Sequence, residues 1–208
     1  MPNYIVQQGE CLSSIAKRQG LFWEKIWNHP RNADLKARRK DPNILYPGDA
    51  LYVPEREDKE ERGATEQRHR FRVKGTPAKF RLRLLKEGRP RKGLPYTLTI
   101  DGKIISGETD DEGWIECNIP PDAQSGRLIL DHGSEQYSLQ LGHLDPVEET
   151  TGIQQRLRNL GFYSGEINGR MGPETQASLA KFQRSQGLEA TGRIDEQTRG
   201  RLRDAHHS

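Results

Sequence analysis

Residues 160–183, LGFYSGEINGRMGPETQASLAKFQ, restrict the possible folds more than any other stretch of this chain. Ile153, Leu157 and Leu160 recur at helical spacing, and Gly161 ends that helix. Gly165, Asn168-Gly169 and Gly172 then shape a tight loop, because Gly and Asn accept positive φ at little steric cost. Pro173 opens the next helix at its first position, where a missing N–H does no harm. Ala177, Leu179 and Phe182 give that helix its apolar surface, and Gly187 closes it. A third short helix follows Thr191-Gly192-Arg193-Ile194, with Asp195 as N-cap and Thr198 and Leu202 beyond.

This pattern resembles the three-helix peptidoglycan-binding module found on many cell-wall hydrolases. The matching positions are Gln154 and Leu157, Leu160-Gly161, Gly165, Asn168-Gly169, Gly172 with Thr175, Phe182-Gln183, Gly187-Leu188, Gly192 and Thr198. The resemblance covers residues 150–204 and implies a helical module over 150–208. The glycines and leucines of the pattern are structural, so it implies a fold before it implies a ligand.

At the other end, Tyr4-Ile5-Val6 predicts a short strand and Gln8-Gly9-Glu10 a turn. Leu12, Ile15 and Ala16 mark one face of a helix closed by Gly20, and Phe22, Trp23, Ile26 and Trp27 mark a second. Trp23 and Trp27 are read as core rather than as stacking platforms. After Tyr46-Pro47-Gly48-Asp49, the run Ala50-Leu51-Tyr52-Val53-Pro54 returns as a strand. This βααβ order over 2–55, with Gly9-Glu10-Cys11-Leu12 early and Pro-Gly-Asp-x-Leu-x-Val-Pro late, resembles a LysM domain. Two departures stand out. Glu10-Cys11 replaces the usual Asp-Thr, which removes a hydroxyl helix cap, and residues 28–41 form a longer, more basic connection with Lys36, Arg38, Arg39 and Lys40.

The LysM resemblance implies binding of N-acetylglucosamine (GlcNAc) chains in a shallow groove between two loops. By position, Gly9, Glu10, Cys11 and Leu12 would face Asn43, Ile44, Leu45 and Tyr46. Backbone amides would bond the acetamido group while apolar side chains cover the sugar face. The basic cluster is a solvated face by default, with wall carboxylates or phosphates as the alternative.

Residues 56–70 mix both signs of charge with almost nothing apolar, and are read as a solvated hinge or a short exposed helix before Gly63. Over 71–145 the period changes to two. Phe80, Leu82 and Leu84 alternate with Arg81 and Arg83, and Tyr96, Leu98 and Ile100 with Thr97 and Thr99. Asp101-Gly102 and Asp111-Glu112-Gly113 are read as hairpin turns, and the whole as a small all-β sandwich. Gly107-Glu108-Thr109-Asp110-Asp111-Glu112-Gly113-Trp114, followed by Ile119-Pro120, resembles a turn of transthyretin-like and immunoglobulin-like modules. A turn accounts for Asp110, Asp111 and Glu112 better than a calcium site does, since further oxygen ligands at metal spacing are missing.

The fold class expected is therefore multidomain α+β. With 32% apolar and 30% charged residues, small separate cores are expected rather than one large one. A net charge of +3 with interspersed signs gives no reason to expect nucleic-acid binding. No stretch approaches the roughly 20 apolar residues of a membrane span. The first residues, MPNYIV, do not read as a secretory signal, so either a signal has been removed or the protein reaches the wall by another route. Cys11 and Cys117 fall in different modules, and neither a disulfide nor zinc spacing is expected.

No catalytic site is expected. The histidines (29, 69, 132, 143, 206, 207) are scattered, and no nucleophile elbow, phosphate-cradling loop or apolar pocket around paired carboxylates is visible. The expectation is a non-enzymatic binder of peptidoglycan or GlcNAc oligomers, without cofactor, metal, nucleic-acid or membrane partner. The alternative is an adaptor resembling small accessory proteins of contractile injection machines, such as type VI secretion systems and phage-like tails, docking on spike or effector proteins.

Overall fold

In the computed structural model, residues 4–56, 66, 68, 78–86 and 89–207 are described. Most of the predicted hinge at 56–70, and residues 71–77 at the start of the expected sandwich, lie outside them. Three apolar clusters that share no residue divide the fold.

The first cluster belongs to β1 (Tyr4–Ile5), α1 (Leu12–Gln19), α2 (Trp23–Trp27), α3 (Ala33–Arg39) and β2 (Ala50–Leu51). β1 and β2 pair antiparallel, Tyr4 opposite Leu51, and Leu12, Ile15, Ile26, Trp27, Leu35 and Leu45 fill the space beneath. Trp27 is core and Trp23 packs partly buried against it, as the sequence predicts. The basic connection folds rather than loops: a 3-10 turn over Pro30–Asn32 leads into α3. Asn32 holds that turn in place. Its Nδ2 donates to the carbonyls of Ile26 and Tyr52, and its Oδ1 accepts from Tyr52 N, each at 2.8 Å.

The second cluster is the sandwich. One sheet has the order β10 (Glu135–Gln140), β9 (Ser125–Leu130), β6 (Pro95–Ile100), β7 (Lys103–Glu108), and the other pairs β3 (Ala78–Arg83) with β8 (Trp114–Ile119). A two-residue ribbon, β4 (Leu85–Lys86) with β5 (Arg89–Pro90), connects them. Alternation works as expected: Phe80, Leu98, Ile100, Ile115, Leu128 and Leu130 point between the sheets. Asp101-Gly102 is a hairpin turn between β6 and β7. Asp111-Glu112-Gly113 is not, because β7 and β8 lie in different sheets and the loop crosses between them. Asp110 Oδ1 accepts from the amides of Glu112 and Trp114 (2.9 and 2.8 Å), which builds the corner. Gly113 is required there: its φ is +81°, and a Cβ would lie 2.5 Å from Leu84 O.

The third cluster is formed by α4 (Thr150–Asn159), α5 (Pro173–Ser185) and α6 (Glu196–His206), with Val147 ahead of the expected boundary. Leu157, Leu179, Phe182 and Leu202 are fully buried, and Phe162 meets Phe182 edge-on at 5.5 Å. Pro173 opens α5, and Asp195 caps α6 by accepting from Thr198 N at 2.7 Å, as predicted. Ala177 faces solvent instead of the core; Thr175 and Ser178 take the inner positions. No helix among the described residues is long and apolar enough to cross a membrane.

Candidate glycan-binding groove

The two predicted loops of the N-terminal module do meet. Leu12 N donates to Pro42 O at 3.0 Å, and Ser13 Oγ donates to Asn43 Oδ1 at 2.9 Å. The eight candidate residues then separate by exposure. Asn43 faces solvent, Cys11 and Tyr46 are half-buried, and Gly9, Glu10, Leu12, Ile44 and Leu45 are buried. Leu12 and Leu45 belong to the module's core, so their side chains shape the groove from below.

Glu10 is held from within the module. Its carboxylate accepts from the Tyr4 hydroxyl (2.7 and 2.8 Å), Gln7 N (2.9 Å) and Arg18 Nη1 (2.7 Å). Burial pushes this carboxyl up, but the Gln7, Tyr4 and Arg18 bonds outweigh it and hold the pKa below the ordinary value. The lost hydroxyl cap is partly replaced: Ser14 Oγ accepts from Cys11 N at 3.1 Å. These bonds give the first loop a fixed shape.

The second loop is fixed by Asp49 of the Pro-Gly-Asp run. Arg39 Nε and Nη2 donate to its two oxygens at 2.8 and 3.0 Å, and Tyr46 N donates at 2.9 Å. The Arg39 guanidinium also lies 5.5 Å from the centre of the Tyr46 ring. Only 7% of the Arg39 side chain is exposed, so it leaves the solvated basic face that Lys36, Arg38 and Lys40 still form. Sequence reasoning missed this clamp because α3 was not anticipated.

The groove is not isolated from the rest of the chain. The His143 ring lies over Gly9, such that a Cβ on Gly9 would stand 2.9 Å from Nε2. Cys11 Sγ is 4.0 Å from Pro121 O, and Lys17 Nζ is 2.5 Å from Asp122 Oδ1. On the other side Arg39 Nη1 is 3.7 Å from Glu149 Oε1. Asp41 of the first module and Arg203, Asp204 and His207 of the third line a shallow, open depression.

In the third module the buried polar residues include Gln154, Gln183, Thr175, Thr198 and Arg156. Gln154 Oε1 accepts from the amides of Asn168 and Gly169 (3.1 and 3.0 Å), while its Nε2 faces Arg170 O and Thr175 Oγ1, both at 3.0 Å. Arg156 Nη1 donates to the carbonyls of Asp145 and Gly152 (2.7 and 2.9 Å), and burial pulls its pKa down to about 10. These side chains are joined to backbone, and the residues that carry the resemblance act as framework.

The chain thus carries a βαααβ module in which two loops meet and a three-helix module pinned by buried glutamines, one on each side of the sandwich in sequence, the arrangement of a modular cell-wall-binding protein. Comparison with known families agrees at both ends. Residues 4–54 match the family described as "LysM domain", and residues 147–202 match the family described as "Putative peptidoglycan binding domain". Over 62 residues the chain is 42% identical to "Putative OxPP cycle protein OpcA" of Synechococcus elongatus, a match that covers 30% of this chain. The chain spans 14% of that relative's length. A periplasmic domain of the EpsAB fusion protein of the Vibrio vulnificus type II secretion system aligns over 66% of this chain and 68% of its own. Its identity is 14% and its TM-score 0.25, too low to carry an argument.

Proposed function

We propose that this protein is a non-catalytic binder of the GlcNAc-containing glycan of peptidoglycan, with Asn43 and Tyr46 forming the sugar contacts; the amides of Glu10, Cys11 and Leu12 are already bonded to Gln7 O, Ser14 Oγ and Pro42 O and serve to fix the loop. The observation that carries this is the presence of two wall-binding modules on one chain. Each contact would be weak, and tethering makes the second one intramolecular, which multiplies the affinity. Asn43, which is exposed, offers an amide to the polar edge of a pyranose ring, and Tyr46, which is half-buried, offers an aromatic face to its apolar side.

Incubation with purified sacculi tests this. Retention that chitin oligomers compete away supports it, and absence of retention at low salt overturns it. A second reading is an adaptor of a contractile injection system; it draws on the first loop of the groove being covered by the chain's own Pro121, Asp122 and His143 rather than lying open to a glycan. Under that reading the chain captures a purified spike or effector protein and ignores sacculi.

A further inference from the structure

The groove opens between two loops, and the first loop is covered by a different module. Pro121 and Asp122 come from the connection before β9, and Gly142 and His143 from the segment after β10. A Cβ on Gly142 would lie 2.8 Å from Gly9 O, and a Cβ on Gly9 would lie 2.9 Å from His143 Nε2, so the two segments meet with no room between. Gly9 is buried although it sits in a turn. Ile44, on the opposite loop, is 9% exposed yet belongs to none of the three apolar clusters.

We propose that the first wall of the LysM groove is closed by an intramolecular seam with the sandwich, and that the seam has to part before a ligand reaches the wall. The binding role assigned to the groove comes from the proposed function, while the seam itself is read from the contacts. Two features make parting easy. The ion pair across this seam, Lys17 to Asp122, is about half exposed on both sides (49% and 48%), so solvent screens it. The rest is the Gly9–Gly142 approach, the His143 ring and the Cys11–Pro121 contact, with no shared apolar cluster. The closed state is thus held weakly, as a cover that a multivalent wall surface can displace.

The test uses the full-length chain and two readouts. Cys11 lies in the seam and Cys117 lies half-buried within β8, so their alkylation rates give a ratio that needs no ligand. Lys17→Glu places like charges across the seam, and His143→Ala removes the ring above Gly9. Either is expected to raise the Cys11 rate relative to Cys117 by about fivefold, while Lys17→Asp with Asp122→Lys returns it to the starting value. Affinity for chitin hexamer, measured by calorimetry, is expected to rise by the same factor. A Cys11 rate equal to that of a free thiol in the unmodified chain, or a ratio that neither variant moves, overturns the seam. A ratio that responds while no form binds chitin hexamer keeps the seam and overturns the glycan assignment instead.

Discussion

Gln154 and Gln183 do the same job twice. Each projects from a helix into the loop that follows, and each amide is bonded by a Gly amide on its oxygen and an Arg carbonyl and a Thr hydroxyl on its nitrogen. For Gln154 these are Gly169, Arg170 and Thr175; for Gln183 they are Gly192, Arg193 and Thr198. Backbone N–H groups on one side and carbonyls on the other leave a single amide orientation in both cases. The module is built from a helix–loop unit used in succession.

Replacing either glutamine by leucine should therefore destabilise the third module by about 3 kcal/mol, because several buried backbone groups lose their partners at once. Denaturant melts of the full chain should show one transition moving and the others unchanged.

Arg39→Met is expected to cost roughly 3 kcal/mol in the first module, since Asp49 would remain buried with only the exposed Arg38 guanidinium, 3.6 Å away, to offset its charge. Adding Asp49→Asn should restore part of that loss in the same melt, which a purely steric effect of the thioether side chain would not allow.

Gly113→Ala should destabilise the sandwich by about 2 kcal/mol or more. The residue needs positive φ, and the added carbon would meet the carbonyl of Leu84 on the opposing side of the corner. The same denaturant melt, followed at Trp114, checks it.

His206 should make the third module acid-sensitive. Burial, with help from the Arg156 cation and His207, lowers its pKa from 6.5 to about 4. Its neutral Nε2 sits 2.9 Å from Asn159 Nδ2. The unfolded chain takes up this proton first, so the contribution is complete above about pH 6.5 and is lost as pH falls toward 4. The loss is on the order of 2–3 kcal/mol. Melting the third module across that range, with and without His206→Gln, should show the slope disappear in the variant.

Asn43→Ala and Tyr46→Ala should each weaken chitin-oligomer binding by roughly tenfold, about 1.4 kcal/mol, while lowering the stability of the module by about 1 kcal/mol through the lost Ser13 bond and Arg39 contact, too little to unfold it. Leu12→Ala should unfold the module instead, because that side chain is core. Calorimetric affinities beside melting temperatures separate the two kinds of loss.

Much of this fold is legible from local pattern. Caps such as Gly20, Gly187 and Pro173 act through their own backbone, Asp195 bonds an amide only three residues on, and the alternation through Phe80 and Leu98 depends only on the pleat. What escapes is whatever depends on a distant partner. Residues 28–41 read as a basic connection because nothing local announces that Asn32 will bind Tyr52 or that Arg39 will turn inward to Asp49. The loop at Asp111 reads as a hairpin because a sequence does not show that β7 and β8 lie in different sheets. The two loops of the candidate groove adjoin, but the Glu10 side chain is occupied by Tyr4, Gln7 and Arg18, partners that no spacing announces. The repeated interval from Gly-Arg to Thr, which the two glutamines serve, is a usable signal in the sequence that helix periodicity alone passes over.

The contact between Arg39 and Glu149 also bears on how the chain would lie on a surface. A polypeptide that doubles back sets its first and last modules shoulder to shoulder. Its footprint is then the width of two neighbours rather than the contour of the whole string, which under the proposed glycan-binding role would set it across adjoining strands of a mesh and leave distant ones unbridged.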